Sequence, residues 1–155
     1  MFLIALILVL PEFSKQERPV RSCMKGPLVE QVAPAYSLNE ILDALRVTES
    51  GGQRNGGRDA AGDGGRAIGP YQIHLPYFLD SRTAGLYGDC RDPDYARHVV
   101  VAYWKRWCPD ALERLDVEVL IRVHNGGPRG ARKPSTLAFW RKVESRLVIA
   151  RTRSL

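Results

Sequence analysis

Glu49 is followed by two aspartates, Asp59 and Asp63, and these three side chains are the first that could do chemistry together. Glu49 closes a segment in which Ile41, Leu42 and Leu45 recur at helical spacing, so it falls on or beside a buried stripe in a last helical turn. There the negative end of the helix dipole and partial burial both disfavour the ionised carboxylate. Asp59 and Asp63 lie in a stretch with seven glycines between Gly51 and Gly65, where water and backbone amides favour an ionised aspartate. A protonated carboxyl near an ionised one suits glycosidic bond cleavage: one donates to the leaving oxygen, the other attacks or stabilises the sugar cation. The plain alternatives are a solvated helix-end glutamate and aspartates that bond only their own turns, as Asp63-Gly64 could.

The elements that must position these groups follow from local signals. Ser37 and Glu40 have capping-box spacing, and the helix they open should end near Ser50-Gly51-Gly52. The Gly-rich stretch reads as a long loop or small irregular hairpin, with Ile68 to Ile73 as a short strand-like segment. Leu75 to Leu79 reads as a brief helix opened by Pro76. Asp92-Pro93 starts another helix, whose apolar face is Val99, Val100, Tyr103, Trp104 and Trp107 and which Cys108-Pro109 stops. A further helix is predicted from about Asp116 to Val123, ended by His124-Asn125-Gly126-Gly127-Pro128. Ser135 should cap the last helix, with Leu137, Trp140, Val143 or Glu144, and Leu147 inward. The sum is a mainly helical α+β domain with one Gly-rich β region, without internal repeats or low-complexity tracts.

The 155 residues fit one domain, with residues 35–155 as the folded part and 1–34 as a targeting segment and linker. Phe2 to Leu10 is an apolar run too short to span a bilayer; it resembles a signal-peptide core but lacks a basic flank and a clear cleavage site. An N-terminal arm packed on the domain is the alternative. The formal net charge of +6 favours an anionic partner. Its basic residues are scattered, and the denser group Arg129, Arg132, Lys133, Arg141 and Lys142 lacks interleaved stacking aromatics, which argues against specific nucleic-acid binding. Cys23, Cys90 and Cys108 make no disulfide framework. A predicted helix of about 15 residues, more than about 20 Å long, separates Cys90 from Cys108, and a bridge needs Cα atoms within about 7 Å. Cys23 could pair with either. No Cys/His spacing suggests a metal site, and no cofactor is expected.

Four segments carry a family resemblance: Thr48-Glu49-Ser50-Gly51, then Gly69-Pro70-Tyr71-Gln72-Ile73-His74 with Pro76-Tyr77, then Val123-His124-Asn125-Gly126-Gly127-Pro128-Arg129-Gly130, and Leu137 to Val143. In order, separation and type they resemble the signature of the invertebrate-type lysozymes, the destabilase family. The resemblance implies a lysozyme-like α+β fold and muramidase activity on the β-1,4 bond between N-acetylmuramic acid and N-acetylglucosamine of peptidoglycan. It gives Glu49 the general-acid role and Asp63 that of second carboxylate, with Asp59 in reserve. Tyr71, Gln72, His74, His124, Asn125 and Gly126 would line or support the sugar cleft, and Trp140 would join them or be core. Gln72 and Asn125 offer the mixed donors and acceptors that N-acetyl and hydroxyl groups need. The chain departs from disulfide-rich animal members and looks closer to cysteine-poor bacterial-type ones. Isopeptidase activity, which some members have, is not expected: His74 stands where the family often has Lys, and no serine lies between Gly51 and Ile73.

Two rival readings remain at this point: a lytic transglycosylase using Glu49 alone, and a non-catalytic basic wall-binding module. The expected partner is an anionic cell-wall polymer, and the expected setting is secreted or periplasmic. A monomer without stable membrane insertion is expected.

Overall fold

The computed structural model describes residues 36–152, all within one unit. The apolar run Phe2 to Leu10, Cys23 and the proposed 34/35 boundary lie outside the described residues.

Helix α1, Leu38–Ser50, begins as its sequence dictates. The Ser37 hydroxyl accepts from the Glu40 amide at 3.3 Å, and the Glu40 carboxylate accepts from the Ser37 amide at 2.7 Å. Those bonds, the Ser37 side chain first, hold the Glu40 carboxyl below its ordinary range. Gly51 ends the helix in the left-handed conformation, with φ 65°. Glu49 is therefore fixed in the last turn.

The Gly-rich stretch forms turns and then strand β1, Ala61–Gly62. A three-residue 3₁₀ turn over Asp63–Gly65 leads to β2, Ala67–Ile68, and β3, Ile73–His74, completes an antiparallel sheet of order β1-β2-β3. The segment expected as one short strand is thus a hairpin. Gly69 at φ 72° and Gln72 at φ 47° reverse the chain, and the Gly69 carbonyl accepts from both the Gln72 amide (3.1 Å) and its side chain (2.9 Å). A left-handed glutamine is not signalled by residue type.

Helix α2 covers Leu75–Ser81, and α3 covers Pro93–Trp107 with Asp92 accepting from the amides of Asp94 and Tyr95. Arg58 reaches that same cap at 2.8 Å, tying the Gly-rich loop to α3. A short helix not expected from sequence, α4 over Pro109–Glu113, follows because Pro109 that stops one helix also starts the next. Helix α5 spans Val117–Gly126, running through His124-Asn125-Gly126 instead of stopping at Val123. Its carbonyl end is held by Lys133, whose ammonium donates to the Gly126 carbonyl at 2.5 Å. Helix α6 covers Leu137–Thr152. Ser135 is not its cap, since a 3₁₀ turn over Pro134–Thr136 runs directly into it, and Leu137 is exposed.

The core gathers Ile41, Leu42 and Leu45 of α1, Val99, Val100 and Trp104 of α3, Leu120 and Ile121 of α5, and Val143 and Leu147 of α6. Full burial of each such side chain contributes roughly 1.5–3 kcal/mol, which fixes α1 and α5, the two helices that end at the cavity described below. Among the described residues Cys90 and Cys108 form no disulfide, and the fifteen-residue α3 between them keeps the two apart.

Gly69 makes the hairpin possible twice over. Its φ is left-handed, and a Cβ there would meet the Cys90 carbonyl oxygen at 2.0 Å. Gly69→Ala should therefore destabilise by at least about 2 kcal/mol, combining roughly 1–2 kcal/mol of left-handed strain with a backbone clash. Chemical denaturation should show a lower midpoint with little change in slope; a midpoint equal to the parent's would refute the constraint.

Candidate active site

The C-terminal ends of α1 and α5, the turn after β1, the β2–β3 hairpin and the first turn of α2 enclose a cavity of about 250 Å³. Its walls are Glu49, Gly62, Asp63, Ala67, Gln72, His74, Tyr77, His124 and Asn125. Six residues singled out from sequence meet here: Glu49, Asp63, Gln72, His74, His124 and Asn125.

Glu49 is the sheltered carboxyl, with its side chain 17% exposed, whereas that of Asp63 is 62% exposed. Glu49 Oε1 lies 3.3 Å from His124 Nε2, and His124 Nδ1 lies 3.0 Å from the Tyr77 hydroxyl. His124 is nearly buried, with Tyr77 edge-on to it and stacked on Tyr103 at 3.7 Å between ring centroids. Burial, then the neighbouring Tyr103, Cys108 and Glu49, raises the Tyr77 phenol well above its ordinary range, so it stays protonated. One tautomer of His124 accepts a proton from a neutral Glu49 and donates to Tyr77. The other accepts from Tyr77 and donates to a Glu49 carboxylate. The chain of three groups thus suits either state of the acid.

Asp63 reaches the same cavity from the turn that follows β1. Gly62 of β1 pairs with Ala67 of β2, and Ala67 pairs with His74 of β3, so the three share one row and one face. Asp63 follows Gly62 directly, and its Oδ2 lies 3.1 Å from His74 Nε2. A Cβ on Gly62 would meet Gln72 Oε1 at 2.4 Å, so only glycine lets the Gln72 amide lie across the floor of the cavity. Asp59 does not line the cavity; its carboxylate accepts from Asn55 within the Gly-rich loop.

Three other candidates lie elsewhere. Tyr71 is 2% exposed and packs in the core, where burial pushes its phenol up to about 12. Gly126 is turned toward Thr136 and Lys133 at the end of α5, where it supports Asn125 without lining the cavity. Trp140 is half-buried against the core. Tyr77, Gly62 and Ala67 were not among the site residues expected from sequence. Tyr77 stood inside a recognised segment, but nothing in a lone aromatic says whether it faces core or cleft. The two free thiols are no rival nucleophiles: burial pushes both Cys90 and Cys108 up to about 11.

Comparison with known proteins places this arrangement among others. Invertebrate-type lysozyme 2 of Caenorhabditis elegans is 30% identical over 135 residues, 79% of this chain and 95% of the relative. A lysozyme of Magallana gigas is 39% identical over 79 residues, 50% of this chain and 58% of that protein, so the chain matches little more than half of the oyster protein's length. The crystal structure of Tapes japonica lysozyme superimposes with a TM-score of 0.57 at 29% identity, over 67% of this chain and 85% of that one. No family model matches the chain.

Proposed function

Since the chain belongs to the invertebrate-type lysozyme family, and is by that membership a lysozyme-type glycosidase, we propose that it hydrolyses the β-1,4 bond between N-acetylmuramic acid and N-acetylglucosamine of peptidoglycan. The observation that carries the reading is that Glu49 and Asp63, from different elements and with unlike exposure, line one cavity beside Gln72 and Asn125.

In this reading Glu49 donates its proton to the glycosidic oxygen as the C1–O bond breaks. The Asp63 carboxylate faces C1, bonding to it or balancing the charge of the oxocarbenium ion. Glu49, now ionised, takes a proton from water as that water attacks C1, which restores both carboxyls and retains the anomeric configuration. His124 can stay hydrogen-bonded to Glu49 in both states by exchanging tautomers with Tyr77 as its partner. Gln72 and Asn125 offer amide groups to the N-acetyl and hydroxyl substituents of the sugars.

The test is product chemistry on purified peptidoglycan. Hydrolysis releases reducing muramic acid termini, with retained configuration in the first product; an anhydro-muramic product would instead establish the lytic transglycosylase. A wall-degrading enzyme works outside the cytoplasmic membrane, and Phe2 to Leu10 would supply the export signal.

The net charge of +6 gives a further expectation. Attraction to an anionic wall is screened as the Debye length shortens from about 30 Å at 0.01 M salt to about 8 Å at 0.15 M. Clearing of a wall suspension should slow across that range, whereas kcat on a short neutral glycan should not. Equal salt sensitivity for both substrates would show that charge acts on the chemistry and not on wall attraction.

A further inference from the structure

Asp63 lies on a short turn with an unusual backbone. It and Gly64 are consecutive left-handed residues, with φ 51° and 67°, on a three-residue turn. Arg66, the nearest cation in sequence, donates through Nε to the Asp63 carbonyl at 3.0 Å and not to its carboxylate. Among the described residues the one hydrogen-bond or ion-pair partner of that carboxylate is His74.

His74 is anchored where Asp63 is not. It ends β3, paired with Ala67, and it precedes Leu75 and Pro76 as the residue that opens α2. The Tyr87 hydroxyl lies 2.8 Å from the Ile73 carbonyl and 2.7 Å from the Arg66 carbonyl, bracing β3 against the turn. The imidazole also forms part of the wall of a second hollow, with Arg66, Leu75, Pro76 and Tyr87. Its titratable and charged surroundings are therefore Asp63 and Arg66 from the turn, Tyr87 from a 3₁₀ segment over Tyr87–Arg91, Tyr77 from α2, and Glu49 and His124 across the cavity. Of these only Asp63 is in ion-pair contact with it.

We propose that His74 is a positioning residue for Asp63, holding the carboxylate toward the scissile bond by an ion pair that weakens as the imidazole loses its proton. This rests on the glycosidase reading above. An imidazolium binds a carboxylate through a charge-assisted bond roughly twice as strong as the neutral bond left after deprotonation. The neutral ring can also place its one hydrogen on Nδ1, leaving Nε2 with nothing to donate. The protonated ring therefore aligns Asp63 more firmly than the neutral one.

Two measurements on the full chain test this. The first is kcat and KM on peptidoglycan fragments at about pH 5.5 and about pH 8, which bracket the range in which histidine side chains in general change charge, for the parent, His74→Ala and His74→Lys. Misalignment of a reacting group costs about tenfold or more in rate, so His74→Ala should lose about that in kcat at the lower pH with KM within about twofold. His74→Lys, which keeps its charge, should recover most of that loss. The ratio of its activity to the parent's should rise with pH. A kcat for His74→Ala within about twofold of the parent, or a flat Lys-to-parent ratio, would overturn the proposal. The second needs no activity: the His74 titration followed by NMR in the parent and in Asp63→Asn. Removing the anion should lower its midpoint, because a neighbouring carboxylate favours the charged ring. An unchanged midpoint overturns the pairing, whereas a lowered midpoint in a protein without wall activity would leave the pairing standing and sink the glycosidase reading instead.

Discussion

Glu49→Gln should reduce clearing of a peptidoglycan suspension by about 10²–10⁴-fold, the range that a positioned general acid contributes. The amide has the shape of the acid but no proton that it can give to a glycosidic oxygen. Its surroundings tolerate the change: the side chain is 17% exposed, and the His124 nitrogen 3.3 Å away can accept from the new amide. Unfolding midpoint and wall binding, read by pelleting the protein with the wall, should stay at the parent's level. The same experiment separates the readings. A parent that binds and does not lyse, matched by the variant, would establish a wall-binding module on a lysozyme scaffold. A variant that lyses at more than about a tenth of the parent's rate would remove Glu49 from the chemistry. The effect should fall on kcat, since the proton matters only as the bond breaks.

How far the sequence foretells this site depends on the range of the interactions involved. The start of α1 is local chemistry, a serine and a glutamate three residues apart, and the structure has both bonds of the capping box. The same holds for Asp92 before Pro93. Where a distant group decides, local reading fails. Helix α5 outruns the stop suggested by its Asn-Gly, with Lys133 bonding the Gly126 carbonyl of its last turn. The hairpin over residues 67–74 turns on a left-handed Gln72 locked to Gly69, and its glycine is required by the Cys90 backbone. Tyr71 and Tyr77 look alike in sequence; packing buries the first in the core and sets the second against His124. Thr136 carries no signal at all in the sequence, yet its buried hydroxyl meets Arg122 and the Gly130 carbonyl. Residue types and the family resemblance could therefore nominate Glu49 with Asp63, Asp59 in reserve, but which aspartate lines the cavity with Glu49 is a matter of the folded chain.

That choice gives the second large effect. Asp63→Asn should lower kcat by about a hundredfold or more, the scale on which charges aimed at a developing cation or anion act in a sheltered site. Asp59→Asn, in the same loop, should stay within about twofold, because Asp59 is turned to Asn55 and lines no part of the cavity. Asparagine at 63 keeps an oxygen for His74 and tolerates the left-handed backbone better than most residues, so the turn should survive. Comparable thermal midpoints for all three proteins would confirm that activity and not folding is being read. A large loss in Asp59→Asn with none in Asp63→Asn would mean that the Gly-rich loop rearranges around substrate and exchanges its carboxyls. Activity that survives both substitutions, with anhydro-muramic products, would leave Glu49 alone at the bond and turn the assignment to a transglycosylase. The register of three two-residue strands therefore underlies the proposal: with Gly62, Ala67 and His74 in one row, Asp63 follows directly into the cavity that Glu49 lines, and Asp59 does not.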